Sequence, residues 1–284
     1  MIIETKNLTK YYGKIRGIEH LSFSIEKGEI FGFLGPNGAG KTTTMRTLLG
    51  FLQPTGGEAY IFGKNVEKNI VEIKEQTGYI PGEVALYGNV TGIDLLKYFS
   101  GLRRNFDEEK LKRLLKIFEL PLKRKVKGYS RGMKQKLSIV QAFMHNPELI
   151  LMDEPTAGLD PLLQEKFYDF LREEKKEGKT MFISSHILTD IEKISDRVGI
   201  IKDGTLIALE NVDSLKSKKG KIVRVKTTED ITIEGIQPKK ENGWISFVVK
   251  KDMDSIIKEL ATYTVEDIEI GELSLEEIFM HYYR

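Results

Sequence analysis

Gly35-Pro36-Asn37-Gly38-Ala39-Gly40-Lys41-Thr42-Thr43 is the stretch from which the fold is read. The apolar run Ile30-Phe31-Gly32-Phe33-Leu34 precedes it, and a segment with helical spacing, residues 45–49, follows. Strand, glycine-rich loop and helix in that order match the phosphate-binding pattern G-x-x-x-x-G-K-[ST] in its proper context. Glycines let the backbone curl without Cβ clashes, so several N–H groups converge on one anion. The helix start behind the loop adds roughly half a positive charge. Lys41 is expected to reach β- and γ-phosphates, and the Thr42 hydroxyl to ligate Mg2+.

The chain has 284 residues, 40% of them hydrophobic and 30% charged. That profile is ordinary for a soluble protein of one large or two unequal domains. A net charge of +2 gives no global field for nucleic acid, so no nucleic-acid partner is expected. There are no cysteines, which excludes disulfides, thiol catalysis and thiolate metal sites. No apolar run approaches the roughly 20 residues that span a bilayer. The first residues lack the long apolar stretch of a signal peptide. The chain therefore reads as cytosolic, with any membrane role supplied through a partner.

Working outward, residues 1–35 read as β, with Leu21-Ser22-Phe23-Ser24-Ile25 alternating at period two. Short strands are expected at residues 59–62 and 77–81. From about residue 83 to 145 the character becomes helical. Thr91 and Asp107 are candidate helix caps. Leu111, Leu114, Leu115 and Phe118 form one apolar stripe, and Met133, Leu137, Val140 and Met144 another. Residues 149–152 are continuously apolar, as suits a strand buried on both faces. A charged helix (162–176), a strand (180–184), a helix (187–194) and a hairpin at Asp203-Gly204 follow. A basic linker at 216–221 separates a short α/β unit, with strands at 222–225, 244–249 and 268–270. Met253, Ile256, Ile257 and Leu260 make its helical stripe. The ending carries a capping box, Ser274 to Glu277, and an apolar face of Leu275, Ile278, Phe279 and Tyr282.

Three further runs carry chemistry. Asp153-Glu154 ends the apolar strand 149–152, where ligands bind in parallel sheets. Such a pair also starts helices; the upstream loop favours Asp153 as holder of Mg2+ and Glu154 as general base for water. Ser130 and Gly132 open the helix bearing the 133/137/140/144 stripe. Alone this is an N-cap, and equally an anion site. His186 follows Ser184-Ser185 at a strand end, where an imidazole either donates to a γ-phosphate or serves structure.

Together these runs resemble the ATP-binding cassette (ABC) ATPases, in that family's order. The segment 35–43 resembles Walker A, Tyr129 to Met133 the signature, and Leu149 to Glu154 Walker B. Ala157-Gly158-Leu159-Asp160 resembles the D-loop, and His186 the switch histidine. Tyr12 resembles the aromatic that stacks on adenine, with Tyr11 as its rival. The resemblance spans roughly residues 1–210. It implies an α/β fold: a P-loop NTPase core with an N-terminal antiparallel β subdomain, an inserted helical subdomain (about 83–145) and a small C-terminal α/β domain. The nucleotide-binding domain is then 1–215 and the accessory domain 216–284. The latter serves dimer contact or regulation, or is a packing appendage.

The resemblance also implies function. ATP and Mg2+ bind, and two cassettes, a second copy or a paralogue, pair head to tail. Ser130 and Gly132 then face nucleotide bound on the partner, and Asp160 of the D-loop counts among the nucleotide-binding residues. Separate transmembrane permease subunits hold the chain at the inner face of the membrane. The motifs resemble the branch serving multidrug, antibiotic or ion exporters. Two departures stand out. Arg131 and Met133 replace the usual glycine and glutamine of the signature. Gly82 occupies the place of the Q-loop glutamine, with Glu83 next to it as a substitute ligand. A soluble cassette acting on ribosomes or DNA, and a regulator that closes on ATP with little turnover, are the competing readings.

Overall fold

The computed structural model describes residues 1–102, 106–217, 221–227, 229, 231–233, 238–241, 243–249 and 253–272. The chain separates into two units, residues 1–210 and 211–284. The expected linker residues 218–220 and the expected ending, 274–282, lie outside the described residues.

The first unit begins with two long strands, β1 (Ile3–Tyr12) and β2 (Ile15–Ile25), paired antiparallel across the Gly13 turn. β3 (Ile30–Leu34) runs into the glycine-rich loop and α1 (Lys41–Leu48). β4 (Gly56–Ile61) and β5 (Lys64–Asn65) extend the first sheet, which has the order β2-β1-β4-β5. α2 (Val66–Glu75) then leads to β6 (Thr77–Ile80). α2 was not anticipated: it is short, it buries only Val66 and Ile73, and it breaks helical geometry at Asn69.

The inserted helices are α3 (Gly92–Gly101), α4 (Glu108–Ile117) and α5 (Arg131–Phe143), with a 3-10 turn at Val126–Gly128 before α5. Each begins at a side-chain cap, because its first N–H groups have no partner within the helix. The Lys110 N–H donates to Asp107 (2.8 Å), the Asp94 N–H to Thr91 (3.3 Å) and the Met133 N–H to Ser130 (3.3 Å). Helix begins only at Gly92; Pro81 to Val90 are irregular, since Pro81, Gly82 and Gly88 resist regular structure. Leu114 and Phe118 of the first apolar stripe are fully buried. Phe118 meets Phe167 and Phe170, and Phe143 meets Phe170, edge to face.

β7 (Leu149–Asp153), α6 (Pro161–Lys176), β8 (Thr180–Ser185), α7 (Leu188–Ile194), β9 (Arg197–Lys202) and β10 (Thr205–Asn211) complete the unit. The second sheet has the order β10-β9-β3-β8-β7-β6. Its pairs β3–β8, β3–β9, β6–β7 and β7–β8 are parallel. β3, β7 and β8 are buried at every position; β3 and residues 149–152 of β7 accordingly read as unbroken apolar runs, while β8 buries Thr180, Ser184 and Ser185 among its apolar residues. Phe23 of the first sheet stacks on Phe31 at 5.6 Å, and Phe182 meets Phe31 and Phe33 edge-on. Each such pair adds roughly 0.5–1.5 kcal/mol beyond its area.

Register places the site. Leu34 lies opposite Ser185, Asp153 opposite Ser184, and Ile80 opposite Met152. The carboxyl ends of four parallel strands therefore finish together, and the residues that follow them share one edge.

The second unit contains α8 (Val212–Ser217), β11 (Lys221–Lys226), β12 (Lys239–Glu241), β13 (Trp244–Val249), α9 (Met253–Leu260) and β14 (Asp267–Glu272). Its antiparallel sheet has the order β12-β13-β11-β14. Val223, Val225, Ile245, Phe247, Val249, Ile256 and Leu260 form its core.

Candidate functional site

The loop between β3 and α1 is shaped by glycines where no other residue fits. Gly40 adopts φ 106°, and an added Cβ would lie 2.7 Å from the Gly17 carbonyl oxygen. A Cβ on Gly35 would lie 2.4 Å from that of Ile201. Gly40 occupies the cap position of α1 without a side-chain bond, so the first N–H groups of α1 receive no side-chain cap. Pro36, Asn37 and Gly38 are exposed, whereas Ala39 is buried, its N–H donating to Pro36 at 3.2 Å. Such a loop is an anion cradle.

Lys41 is almost wholly buried, yet three oxygens surround its ammonium. It donates to the carbonyls of Gly35 (2.6 Å) and Pro36 (3.1 Å) and lies 3.2 Å from Glu154 Oε1. That Glu154 oxygen is buried and accepts no hydrogen bond. Its fellow, Oε2, lies 2.8 Å from His186 Nδ1. Glu154 itself has φ 49°, a left-handed backbone that costs a residue with a Cβ roughly 1–2 kcal/mol. Strain of this kind gathers at functional sites. Two bonds from its N–H hold it, to the Ser184 carbonyl and to Ser184 Oγ, both 3.2 Å.

Asp153 is buried and satisfied on both oxygens. Thr42 donates to Oδ2 at 2.6 Å, and Ser184 donates to Oδ1. Thr42 and Asp153 offer hard oxygen donors, a set that fits Mg2+, which takes one or two protein oxygens and fills its octahedron with phosphate and water. Tyr79 on β6 feels this carboxylate. Burial, chiefly, and the charge of Asp153 push its phenol up to about 12, against the pull of Arg46. Gly82 lies directly against Asp153, since a Cβ there would sit 3.1 Å from Oδ2. Glu83, its neighbour, is exposed and makes no hydrogen bond or ion pair with a described residue.

A second cluster joins the start of α5 to the segment before α6. Ser130 caps α5. Gly132 passes beneath residue 158, and a Cβ on it would lie 2.7 Å from the Gly158 oxygen. Asp160 caps α6, accepting from the Leu163 N–H at 3.0 Å. Gln135, buried on α5, donates to the Pro155 carbonyl at 2.8 Å and so ties this cluster to the residue after Glu154. On the far side of the loop, Tyr12 is half-exposed, its hydroxyl 3.4 Å from Thr43 Oγ1. Lys10 stands 5.5 Å from its ring centre. Tyr11 is committed elsewhere, because its hydroxyl donates to Glu19, which raises its pKa. The geometry thus leaves Tyr12 as the aromatic open to a base.

The sequence reading missed Ser184 and Gln135. The signal lies in burial: Ser184 on β8 and Gln135 on α5 are polar side chains that the fold buries, and a buried polar group needs a partner.

The family model described as "ABC transporter" matches residues 18–157. The bacitracin transport ATP-binding protein BcrA of Bacillus licheniformis is 40% identical over 231 residues, 80% of this chain and 76% of that protein. The linearmycin resistance ATP-binding protein LnrL of Bacillus subtilis is 34% identical over 240 residues, 83% and 76% respectively. Among solved structures, the dimeric structure of MJ0796, a bacterial ABC transporter cassette, superimposes with a TM-score of 0.68 at 25% identity. It covers 74% of this chain and 99% of that one.

Proposed function

The chain belongs to the ABC transporter family as an ATP-binding ATPase subunit, and we propose that it drives export through separate membrane subunits. The observation that carries this reading is the convergence of Lys41, Thr42, Asp153, Glu154 and His186 at one strand edge. In the proposal the loop at 35–43 wraps the triphosphate, and Lys41 turns its buried ammonium to the β- and γ-oxygens. Thr42 and Asp153 hold Mg2+, which supplies charge neutralisation on those phosphates. Glu154, oriented by His186 and by the two Ser184 bonds, takes the proton of the attacking water. Tyr12 stacks on adenine.

The helix start at Ser130 and Gly132 is a second anion-facing terminus. A head-to-tail pair, of two copies or of this chain and a paralogue, gives each terminus a triphosphate to meet. Dimeric MJ0796 supports this pairing. The names of BcrA and LnrL, tied to transport and to resistance, support export. No helix among the described residues is long and apolar enough to cross a membrane, so separate permease subunits are the proposed route to it.

Glu154→Gln tests the proposal. Nucleotide affinity should persist while phosphate release falls on the order of 10²-fold or more. Release at the unmutated rate would remove Glu154 from the base role. One feature favours a second reading, a regulator with little turnover: Gly82 stands where a polar ligand is expected, and Glu83 points to no partner. Slow phosphate release by the unaltered chain, with tight ATP binding, would select that reading.

A further inference from the structure

One buried carboxylate near the site takes no part in the chemistry described above. Asp190, in the first turn of α7, is only 9% exposed. It accepts from the Thr156 hydroxyl at 2.9 Å, and Thr156 is buried as well. Asp190 forms no ion pair with a described residue. Burial, and then Asp190, push the Tyr168 phenol up, so a second hydroxyl faces the same carboxylate. Hydroxyl groups offset only part of the cost of taking a carboxylate out of water. Apolar groups of the same shape would serve the fold about as well. Packing alone therefore does not account for an acid at this position.

Its place in the chain does. Glu154 and His186 meet at 2.8 Å. Thr156 stands two residues beyond Glu154, and Asp190 four beyond His186. The two segments leaving β7 and β8 are thus tied twice, once at the site and once behind it. Ahead of the site, the Glu154 N–H is bonded to Ser184, two residues before His186. The contact between Glu154 and His186 is therefore bracketed on both sides. The two ends of the rear bond are held differently. α7 is seated on β3, because a Cβ on Gly32 would lie 2.4 Å from Ile191 Cγ2. Asp190, next to Ile191, has a fixed base. Thr156 lies in an irregular turn held by local bonds. The Ala157 N–H donates to the Glu154 carbonyl and the Leu159 N–H to the Thr156 carbonyl, both at 3.1 Å. The Gln164 amide donates to the Thr156 carbonyl (3.4 Å) and the Leu159 carbonyl (3.2 Å). This turn starts at Glu154, whose φ of 49° persists only where its surroundings enforce it.

We propose that Thr156 and Asp190 are positioning residues, whose bond keeps the Glu154 carboxylate and the His186 imidazole in working register without touching nucleotide. The inference rests on the role proposed for Glu154. A misplacement of about 1 Å can cost on the order of 10²-fold in rate. Nucleotide binding is made at residues 35–43, away from this bond, so the brace acts on turnover and leaves affinity alone.

The test uses the full chain, with kcat and KM from phosphate release and ATP affinity from calorimetry. Thr156→Val keeps the shape and removes the hydroxyl; it should lower kcat roughly tenfold or more while KM and affinity stay within about twofold. Thr156→Ser, which keeps the hydroxyl, should restore most of the loss. Asp190→Ala should match Thr156→Val, and the double variant should be no slower than the slower single, because both remove one bond. In proton NMR spectra the His186 ring signals, identified by their loss in His186→Gln, should shift in Thr156→Val and stay in place in Thr156→Ser. Should Thr156→Val fail to fold, Asp190→Ala and the double variant carry the same comparison. A kcat within about twofold of the unaltered chain, a KM that moves as far as kcat, no rescue by serine, multiplied losses in the double variant, or unmoved His186 signals would each overturn the proposal. Failure of the base assignment would show separately, as Glu154→Gln releasing phosphate at the unaltered rate.

Discussion

Ser184→Ala removes one hydroxyl from the centre of the site. That hydroxyl donates to Asp153 Oδ1 and accepts from the Glu154 N–H. The second bond is partly redundant, because the same N–H reaches the Ser184 carbonyl at 3.2 Å. The first is not, since Asp153 is buried and its other oxygen is already engaged by Thr42. A hydrogen bond to a charged group contributes roughly 1.5–3 kcal/mol. We therefore expect a stability loss of about 2 kcal/mol, or a fall of about 4–8 °C in melting temperature for a unit of this size. If misplacement of Asp153 and Glu154 carries the same loss into the transition state, turnover falls about 30-fold. Phosphate release and a thermal melt measure the two effects together. Ser184→Thr, which keeps the hydroxyl, should restore much of both. Turnover within twofold of the unaltered chain, at an unchanged melting temperature, would refute the argument. A lowered melting temperature with full turnover would confine Ser184 to folding.

Three more outcomes are expected, beside that of Glu154→Gln. Gly132→Ala must push the Gly158 carbonyl aside to relieve a 2.7 Å approach, so ATP-dependent pairing and phosphate release should both drop, read by light scattering and turnover. Lys110 and Glu174 are a buried ion pair joining α4 to α6, with Glu177 at 3.1 Å from the same ammonium. Glu174→Ala should cost about 2–4 kcal/mol in urea unfolding, because it leaves the buried Lys110 ammonium with only the exposed Glu177 as counter-charge, while Lys110→Met with Glu174→Leu should cost little or nothing. Tyr79 holds its proton to about pH 12 when folded, against about 10 unfolded. Its contribution is thus complete below pH 10 and lost as pH rises toward 12, so Tyr79→Phe should lose less stability than the unaltered chain between pH 9 and 11.

What could be read from the sequence was local. The loop at 35–43, the acids at the end of β7, the caps Thr91, Asp107 and Ser130, and the Asp203-Gly204 turn each declare themselves within a few residues, because short-range backbone needs dictate them. What could not be read was long-range. The approach of Gly132 to Gly158 spans 26 positions, and the bond from Ser184 to Asp153 spans 31. No periodicity encodes either. The same holds for Gly82 against Asp153: from the sequence it was a departure from pattern, and only the parallel register of β6 and β7 brings it there. The helix α2 buries too little to show a stripe, and residues 83–90, expected within the helical stretch, are irregular because their path is set by neighbours on the far loop.

Of the six described residues other than glycine with positive φ, three are asparagine or aspartate, which tolerate that geometry; Glu154 is not among them. Chemistry and backbone comfort are at odds at this one peptide. Glycine would ease this backbone but would also remove the carboxylate that faces Lys41 and His186, the group proposed above as the base. On the role proposed for Glu154, heat resistance gained at the end of β7 in this way would come at the expense of turnover.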